Sequence, residues 1–201
     1  MKWFGRKKSD AETALPILST ARLVMRSFEM SDAVSVYAYA QNEKVAIMAG
    51  FAPHTSPEES RAMVQRFMES GCHWAIVEKS TGCLIGSISL QRDGKRPRIS
   101  DARRMGYVLG EGHWGKGYAT EACTEVLRYA FEELECPIVS ADLLPANAKS
   151  KRVLKKLGFS LEGILRCALP LPDGSVSDLS AYSLLRADYE QQKQKKNKEG
   201  S

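Results

Sequence analysis

The stretch Arg103-Arg-Met-Gly-Tyr-Val-Leu109, Gly110-Glu-Gly-His-Trp-Gly-Lys-Gly117, Tyr118-Ala-Thr-Glu-Ala-Cys-Thr-Glu-Val-Leu-Arg-Tyr-Ala-Phe-Glu-Glu133 places a β-rich segment, a glycine-rich turn and an amphipathic segment in direct succession. In the last of these, Ala119, Ala122, Cys123, Val126, Leu127, Ala130, Phe131 and Leu134 fall at i, i+3, i+4, i+7, i+8, i+11, i+12 and i+15, one apolar stripe at helical period. A strand from Arg103 to Leu109 therefore feeds a tight turn and then a helix to about Glu133. The first N–H groups of such a helix have no intrahelical acceptor, and its dipole favours negative charge there. That turn is suited to an anion, typically a phosphate. Gly115 and Gly117 leave room for phosphate oxygens, and Lys116 adds positive charge nearby. The wording is neither G-x-x-x-x-G-K-[ST] nor G-x-G-x-x-G, which disfavours nucleoside triphosphate and NAD.

Outward from this stretch the pattern alternates between sheet and helix. On the N-terminal side, Leu23 to Phe28 alternates as a strand, Ser31-Asp32 caps a helix carrying Ala33, Val36, Tyr37 and Ala40, and Ser56-Pro57-Glu58-Glu59 opens a second helix that ends before Gly71. Trp74 to Glu78 and Cys83 to Leu90 read as a hairpin, and Gln91 to Asp101 as a mobile polar loop without a motif. On the C-terminal side, Ile138 to Leu143 is a strand, Asn147 caps a helix stopped by Gly158, and Ser160 to Leu169 with Ser177 to Leu185 form two closing strands. The class is α+β, with α and β segments mixed. A basic extension at 1–17, one folded domain at 18–187 and a polar basic tail at 188–201 complete the division.

Composition narrows the function classes. The 201 residues are 43% hydrophobic and 26% charged, ordinary for one globular domain. No apolar run approaches the roughly 18 residues that span a bilayer, and the basic start lacks the apolar core of a secretory signal, so a soluble cytoplasmic protein is expected. Five cysteines at wide spacing fit neither a disulfide framework nor a zinc site, and three histidines without i, i+4 spacing argue against a metal. The net charge of +5 resides in Lys2 to Lys8 and Lys193 to Lys198, so a basic nucleic-acid groove within the fold is not indicated.

Trp114-Gly-Lys-Gly-Tyr-Ala119 resembles the acetyl-CoA motif of the GNAT superfamily, in the W-G-x-G-Y-A-T-E-A wording of its ribosomal-protein N-terminal acetyltransferase (Rim-type) branch. Thr20-Ala-Arg-Leu-Val-Met-Arg26, Gly106-Tyr107 and Asn147-x-x-Ser150 with Lys156-Leu-Gly-Phe159 are similar to further motifs of that branch, in the same order, over about Leu18 to Leu185. The resemblance implies a GNAT fold: a mostly antiparallel, splayed sheet flanked by helices, whose strand at Gly106 to Leu109 carries a bulge and diverges from Ile138 to Leu143. It implies acetyl-CoA as cosubstrate, its pyrophosphate on Gly115, Lys116, Gly117, Tyr118, Ala119 and Thr120. Pantetheine would lie against Val108, Leu109 and Asn147, and Ser150 would protonate the departing thiolate.

Transfer of acetyl to a primary amine by direct attack on the thioester is then the expected reaction. A protein N-terminal α-amino group, of ribosomal-protein type, is the first acceptor, a polyamine, amino acid or drug amine the second, and a non-catalytic acyl-CoA-binding module the competing class. A monomer or homodimer suits each. Related sequences often carry an acid two residues before Gly-Tyr, where this chain has Arg104; Glu121, His113 and Glu111 remain as candidate bases. Tyr107, Tyr182 and Trp74 are expected in the core. The run Lys149, Lys151, Arg152, Lys155 and Lys156 is a solvated face or a site for the coenzyme's 3′-phosphate.

Overall fold

The computed structural model describes residues 15–199. The elements are β1 (Leu18–Ser19), β2 (Leu23–Ser27), α1 (Ala33–Ala40), α2 (Glu43–Ala49), α3 (Pro57–Ser70), β3 (His73–Glu78), β4 (Leu84–Arg92), β5 (Arg103–Leu109), α4 (Tyr118–Arg128), β6 (Ile138–Leu143), α5 (Ala148–Lys156), β7 (Ser160–Pro170), β8 (Val176–Leu185) and α6 (Arg186–Glu199). After Arg128 the helical stripe continues through a wider π turn, Tyr129–Glu133. One eight-stranded sheet has the order β1-β2-β3-β4-β5-β6-β8-β7 and is antiparallel except between β5 and β6.

Strand alternation gives the sheet two apolar faces. On one, Met25, Trp74, Ile76, Ile88, Met105 and Leu109 pack on the α4 stripe, where Ala122, Cys123, Val126, Leu127, Ala130 and Phe131 are buried. Burial of each large apolar side chain stabilises the fold by about 1.5–3 kcal/mol. On the other, Ala75 packs with Val36, Tyr39 and Ala40 of α1, Val45 of α2 and Val64 of α3. The sheet is thus sandwiched, and its β5 edge is held from both sides.

The feature that positions the site is the parting of β5 from β6. They pair only at Arg103↔Val139 and Arg104↔Ser140, so from Met105 onward the β6-facing edge of β5 lacks a ladder partner. The expected bulge in β5 is not there: its pairing with β4 runs without a shift from Gly86↔Leu109 to Arg92↔Arg103. On the β6-facing side, the Tyr107 hydroxyl reaches from β5 to the start of α5 and donates to the Ser150 carbonyl at 3.4 Å.

Three further features depart from the sequence reading or add to it. The polar loop is pinned rather than mobile, because buried Asp93 accepts from Arg96 Nη1 (2.5 Å), Ser140 Oγ (2.8 Å) and the Lys95 N–H (2.9 Å), and Arg96 also pairs with Glu162. Helix α2 is a further element: Asn42 Oδ1 accepts from the Val45 N–H at 3.3 Å, and Gly50 at φ 78° ends it. The stretch expected to be a polar tail from residue 188 is helical through Glu199. Tyr189 of α6 stacks on Phe131 with ring centroids 4.8 Å apart, and Lys193 pairs with Glu132. The basic extension Lys2 to Lys8 lies outside the described residues. No helix among the described residues is long and apolar enough to cross a membrane.

Candidate active site

Between the diverging strands lies a cleft of about 1090 Å³, lined by Val108, Leu109, Gly115, Gly117, Tyr118, Ala119, Thr120, Asn147 and Ser150 among others. The sequence-predicted residues therefore converge on one cavity, with Lys116 as the exception. Gly115 at φ 77° and Gly117 at φ 84° hold the left-handed backbone that makes the turn, a conformation costly for any residue with a Cβ. The first intrahelical bond of α4 runs from the Glu121 N–H to the Gly117 carbonyl at 3.0 Å, which leaves the N–H groups of Tyr118, Ala119 and Thr120 without an intrahelical acceptor. Trp114 fixes the approach to the turn, since its Nε1–H donates to the Leu109 carbonyl at 2.8 Å and its ring carries Lys149 Nζ at 3.9 Å.

The opposite wall is α5. Asn147 Oδ1 caps it by accepting the Ser150 N–H at 3.0 Å, while its Nδ2 donates to the Met48 carbonyl of α2 at 3.2 Å. The cap expected from sequence is present, with a tether across the cleft that sequence did not show. Ser150 lines the cleft in the first turn of α5. Lys149, Arg152 and Lys156 reach the cleft from the basic run of α5. Burial pushes the Tyr107 phenol well up, so it stays protonated. Trp74 and Tyr182 are buried core residues, as expected.

The three candidate bases are differently placed. Glu121 accepts from Thr20 Oγ1 (2.6 Å), the Arg22 N–H (2.9 Å) and Arg22 Nε (2.7 Å); burial works to raise its pKa, but these donors outweigh it and leave the carboxyl below its ordinary value. Glu111 is held down by Lys44 at 2.9 Å and Asn42 at 2.8 Å. His113 lines the cleft, and its buried Nδ1 has no hydrogen-bond partner among the described residues.

Residues that sequence reasoning did not single out border the cleft from the other side of the sheet. His73, Ser89 and Gly106 form one cross-strand row, since His73 pairs with Ser89 and Ser89 with Gly106. The Ser70 hydroxyl donates to the Phe67 carbonyl at 2.8 Å, so His73 Nδ1 is the protonated nitrogen toward it at 2.7 Å, and Nε2 accepts from the Gln91 amide at 3.1 Å. Burial lowers the His73 pKa to about 4, leaving a neutral ring stacked on Phe67 at 4.3 Å. Asp142 of β6 also lines the cleft; Lys95 Nζ donates to its Oδ1 at 2.6 Å, and Arg104 Nη1 stands 3.6 Å from its Oδ2. Arg104, at the position where an acid was sought, is thus the partner of an acid on the next strand. Cross-strand placement carries no local sequence signal, which is why this set escaped detection; only the Asn42 and Gly50 bracket of α2 could have been found.

A strand edge left unpaired beside a helix-start turn with free N–H groups is an arrangement for an extended amide-bearing ligand that ends in phosphate. The chain belongs to the acetyltransferase (GNAT) domain family, whose description matches residues 22–160. It is an acetyl-CoA-dependent N-acetyltransferase. Among its relatives, the uncharacterized N-acetyltransferase YoaA of Bacillus subtilis is 31% identical over 176 residues, covering 85% of this chain and 97% of that one. The putative ribosomal N-acetyltransferase YdaF of the same organism is 37% identical over 112 residues, 56% of this chain and 59% of the relative. The fold is that of a GNAT-family acetyltransferase from Bacillus anthracis, with a TM-score of 0.77 at 24% identity over 86% of this chain and 99% of the other.

Proposed function

We propose that the chain acetylates a protein N-terminal α-amino group, of the ribosomal-protein type, in the cytoplasm. The observation that carries the acceptor class is the charge of the cleft wall. Its carboxylates are Glu43 and Asp142, the latter already paired with Lys95 and Arg104, against Lys44, Lys149, Arg152 and Lys156. A polyamine needs several carboxylates to replace the water around its charges, whereas a single amine on a neutral peptide backbone needs few. The similarity to YdaF, a putative ribosomal N-acetyltransferase, supports the same reading.

In this reading the coenzyme's pyrophosphate takes the N–H groups from Gly115 to Thr120, and its pantetheine amides complete the open edge of β5 at Leu109, passing beside Val108. The amine approaches over Gly106, where the missing side chain leaves space beside Ser89. Nitrogen attacks the thioester carbonyl, a C–N bond forms, and the amine proton leaves to water. The C–S bond then breaks, and Ser150 supplies a proton to the thiolate. Thiol release from acetyl-CoA with a panel of amines tests the acceptor: peptides with a free α-amino group are expected to turn over and the same peptides N-terminally blocked are not. Turnover of polyamines or free amino acids but not of peptides would overturn the protein acceptor.

A further inference from the structure

Arg22 and Glu121 come from segments about a hundred residues apart, yet they share one tightly bonded unit beside the glycine turn. The Glu121 carboxylate receives Thr20 Oγ1, the Arg22 backbone N–H and Arg22 Nε, and Arg22 Nη2 lies 2.6 Å from its Oε2. The remaining arm of the guanidinium, Nη1, donates to the Lys116 carbonyl at 3.0 Å. The same guanidinium lies over the Tyr118 ring, 4.4 Å from its centroid. Every oxygen and arm of this unit is therefore committed, and none is turned toward a reacting group.

The consequence follows from peptide geometry. In a trans peptide the carbonyl of residue 116 and the N–H of residue 117 point in opposite directions. Holding the Lys116 oxygen against Arg22 turns the Gly117 N–H the other way, and Gly117 lines the cleft while Lys116 does not. The bracket also restricts the space at Gly117, since a Cβ there would stand 3.4 Å from Arg22 Nη2. A planar fork that spans a carboxylate and a carbonyl at once is a task for arginine, which lysine's single ammonium cannot reproduce.

We propose that Arg22 and Glu121 are positioning residues for coenzyme binding: the opening strand grips the carbonyl of the phosphate turn and aims its N–H groups into the cleft. This rests on the assignment of the turn to the coenzyme's pyrophosphate. It accounts for Glu121 without a role in proton transfer, and for the two distant motifs Thr20-x-Arg22 and Gly117-Tyr-Ala-Thr-Glu121 as one physical device.

The test uses the sign of the effect. By charge alone, Glu121→Gln removes a negative group near an anion site and should tighten CoA binding; by the positioning role it loosens the fork and weakens binding. The dissociation constant of CoA measured by calorimetry is expected to rise about tenfold in Glu121→Gln and in Arg22→Lys, with the double variant no worse than the poorer single one. At saturating acetyl-CoA kcat is expected to stay within about twofold, a split that a general loosening of the fold would not give. Unchanged or tighter binding in Glu121→Gln overturns the proposal, as does an unchanged constant in Arg22→Lys, whose exposed side chain makes it the safer variant to fold. A wild-type chain that binds no CoA would instead overturn the assignment of the turn.

Discussion

The wall of the cleft made by β5, α4 and α5 and the wall made by α2, β3, β4 and β6 meet the same cavity with different means. On the first wall, the groups assigned to the coenzyme are chiefly backbone: helix-start N–H groups, an unpaired strand edge, and the capped start of α5. On the second, the lining groups are side chains from separate elements: His73, Ser89 and Asp142, held by Gln91 and Lys95, and the residues of α2. Backbone recognition suits a ligand common to a family, because it survives wide variation in side chains. Side-chain recognition suits an acceptor that differs from member to member, because one substitution alters it.

Changes on the first wall are expected to have the larger effects. Gly117→Val asks a β-branched residue to hold φ 84° beside Arg22, so the turn must rearrange and its N–H groups lose their aim. Each charge-assisted hydrogen bond lost is worth about 1.5–3 kcal/mol, so CoA affinity should fall on the order of 100-fold or more by calorimetry, with the fold retained by circular dichroism. Wild-type affinity in that variant would erase the distinction between the walls.

Ser150→Ala is expected to lower kcat by about 10²-fold while leaving the KM for acetyl-CoA within a small factor, since a proton is required only when the thiolate departs. Single-turnover rates, which isolate the chemical step, are the appropriate measurement. An unchanged rate would leave this wall with binding alone.

The second wall is sharpened by His73. Its folded pKa of about 4 lies below the ordinary histidine value of 6.5, so the unfolded chain takes up a proton first as pH falls. The stability tied to the neutral ring is complete above pH 6.5, declines between 6.5 and 4, and reaches its floor below 4. Allowing for solvent around the half-buried ring, roughly 2 kcal/mol should be lost across that window. Urea titrations of His73→Phe, which keeps an aromatic ring on Phe67, should lack this component; equal pH dependence in both proteins would show that the ring is not held neutral.

Asn147 joins the walls, and its replacement is expected to have the smallest effect of the four. Asn147→Ala loses the cap of α5, worth about 1 kcal/mol, together with the bond to the Met48 carbonyl. A drop of a few degrees in Tm with a modest rise in KM for both substrates is expected. A rise for acetyl-CoA only would mean that the tether to α2 has no bearing on the acceptor side.

How much of this was legible beforehand depends on the range of the interaction. The strand, turn and helix from Arg103 to Glu133, the Asn147 cap and the Gly71 and Gly158 stops are local, so periodicity and capping chemistry placed them within a residue or two. The loop at Gln91 to Asp101 misled because its polarity suggests solvent, while its ordering comes from Ser140 and Glu162, far along the chain. The last helix misled for the same reason: its basic composition suggests a tail, and only Phe131 and Glu132 reveal what it docks on.

From its sequence alone, then, this chain determined the order of its elements, the phosphate-type turn and the α5 start with Asn147 and Ser150, because hydrophobic period, glycine conformation and helix capping act over a few residues. Tertiary structure decided that β6 leaves β5 after two paired residues, that Arg104 pairs with Asp142, that His73 stands neutral in the row ending at Gly106, and that Glu121 is bound by Arg22. Each of these depends on strand register or on contacts between distant segments, and the free energy that selects them is that of the packed sheet as a whole.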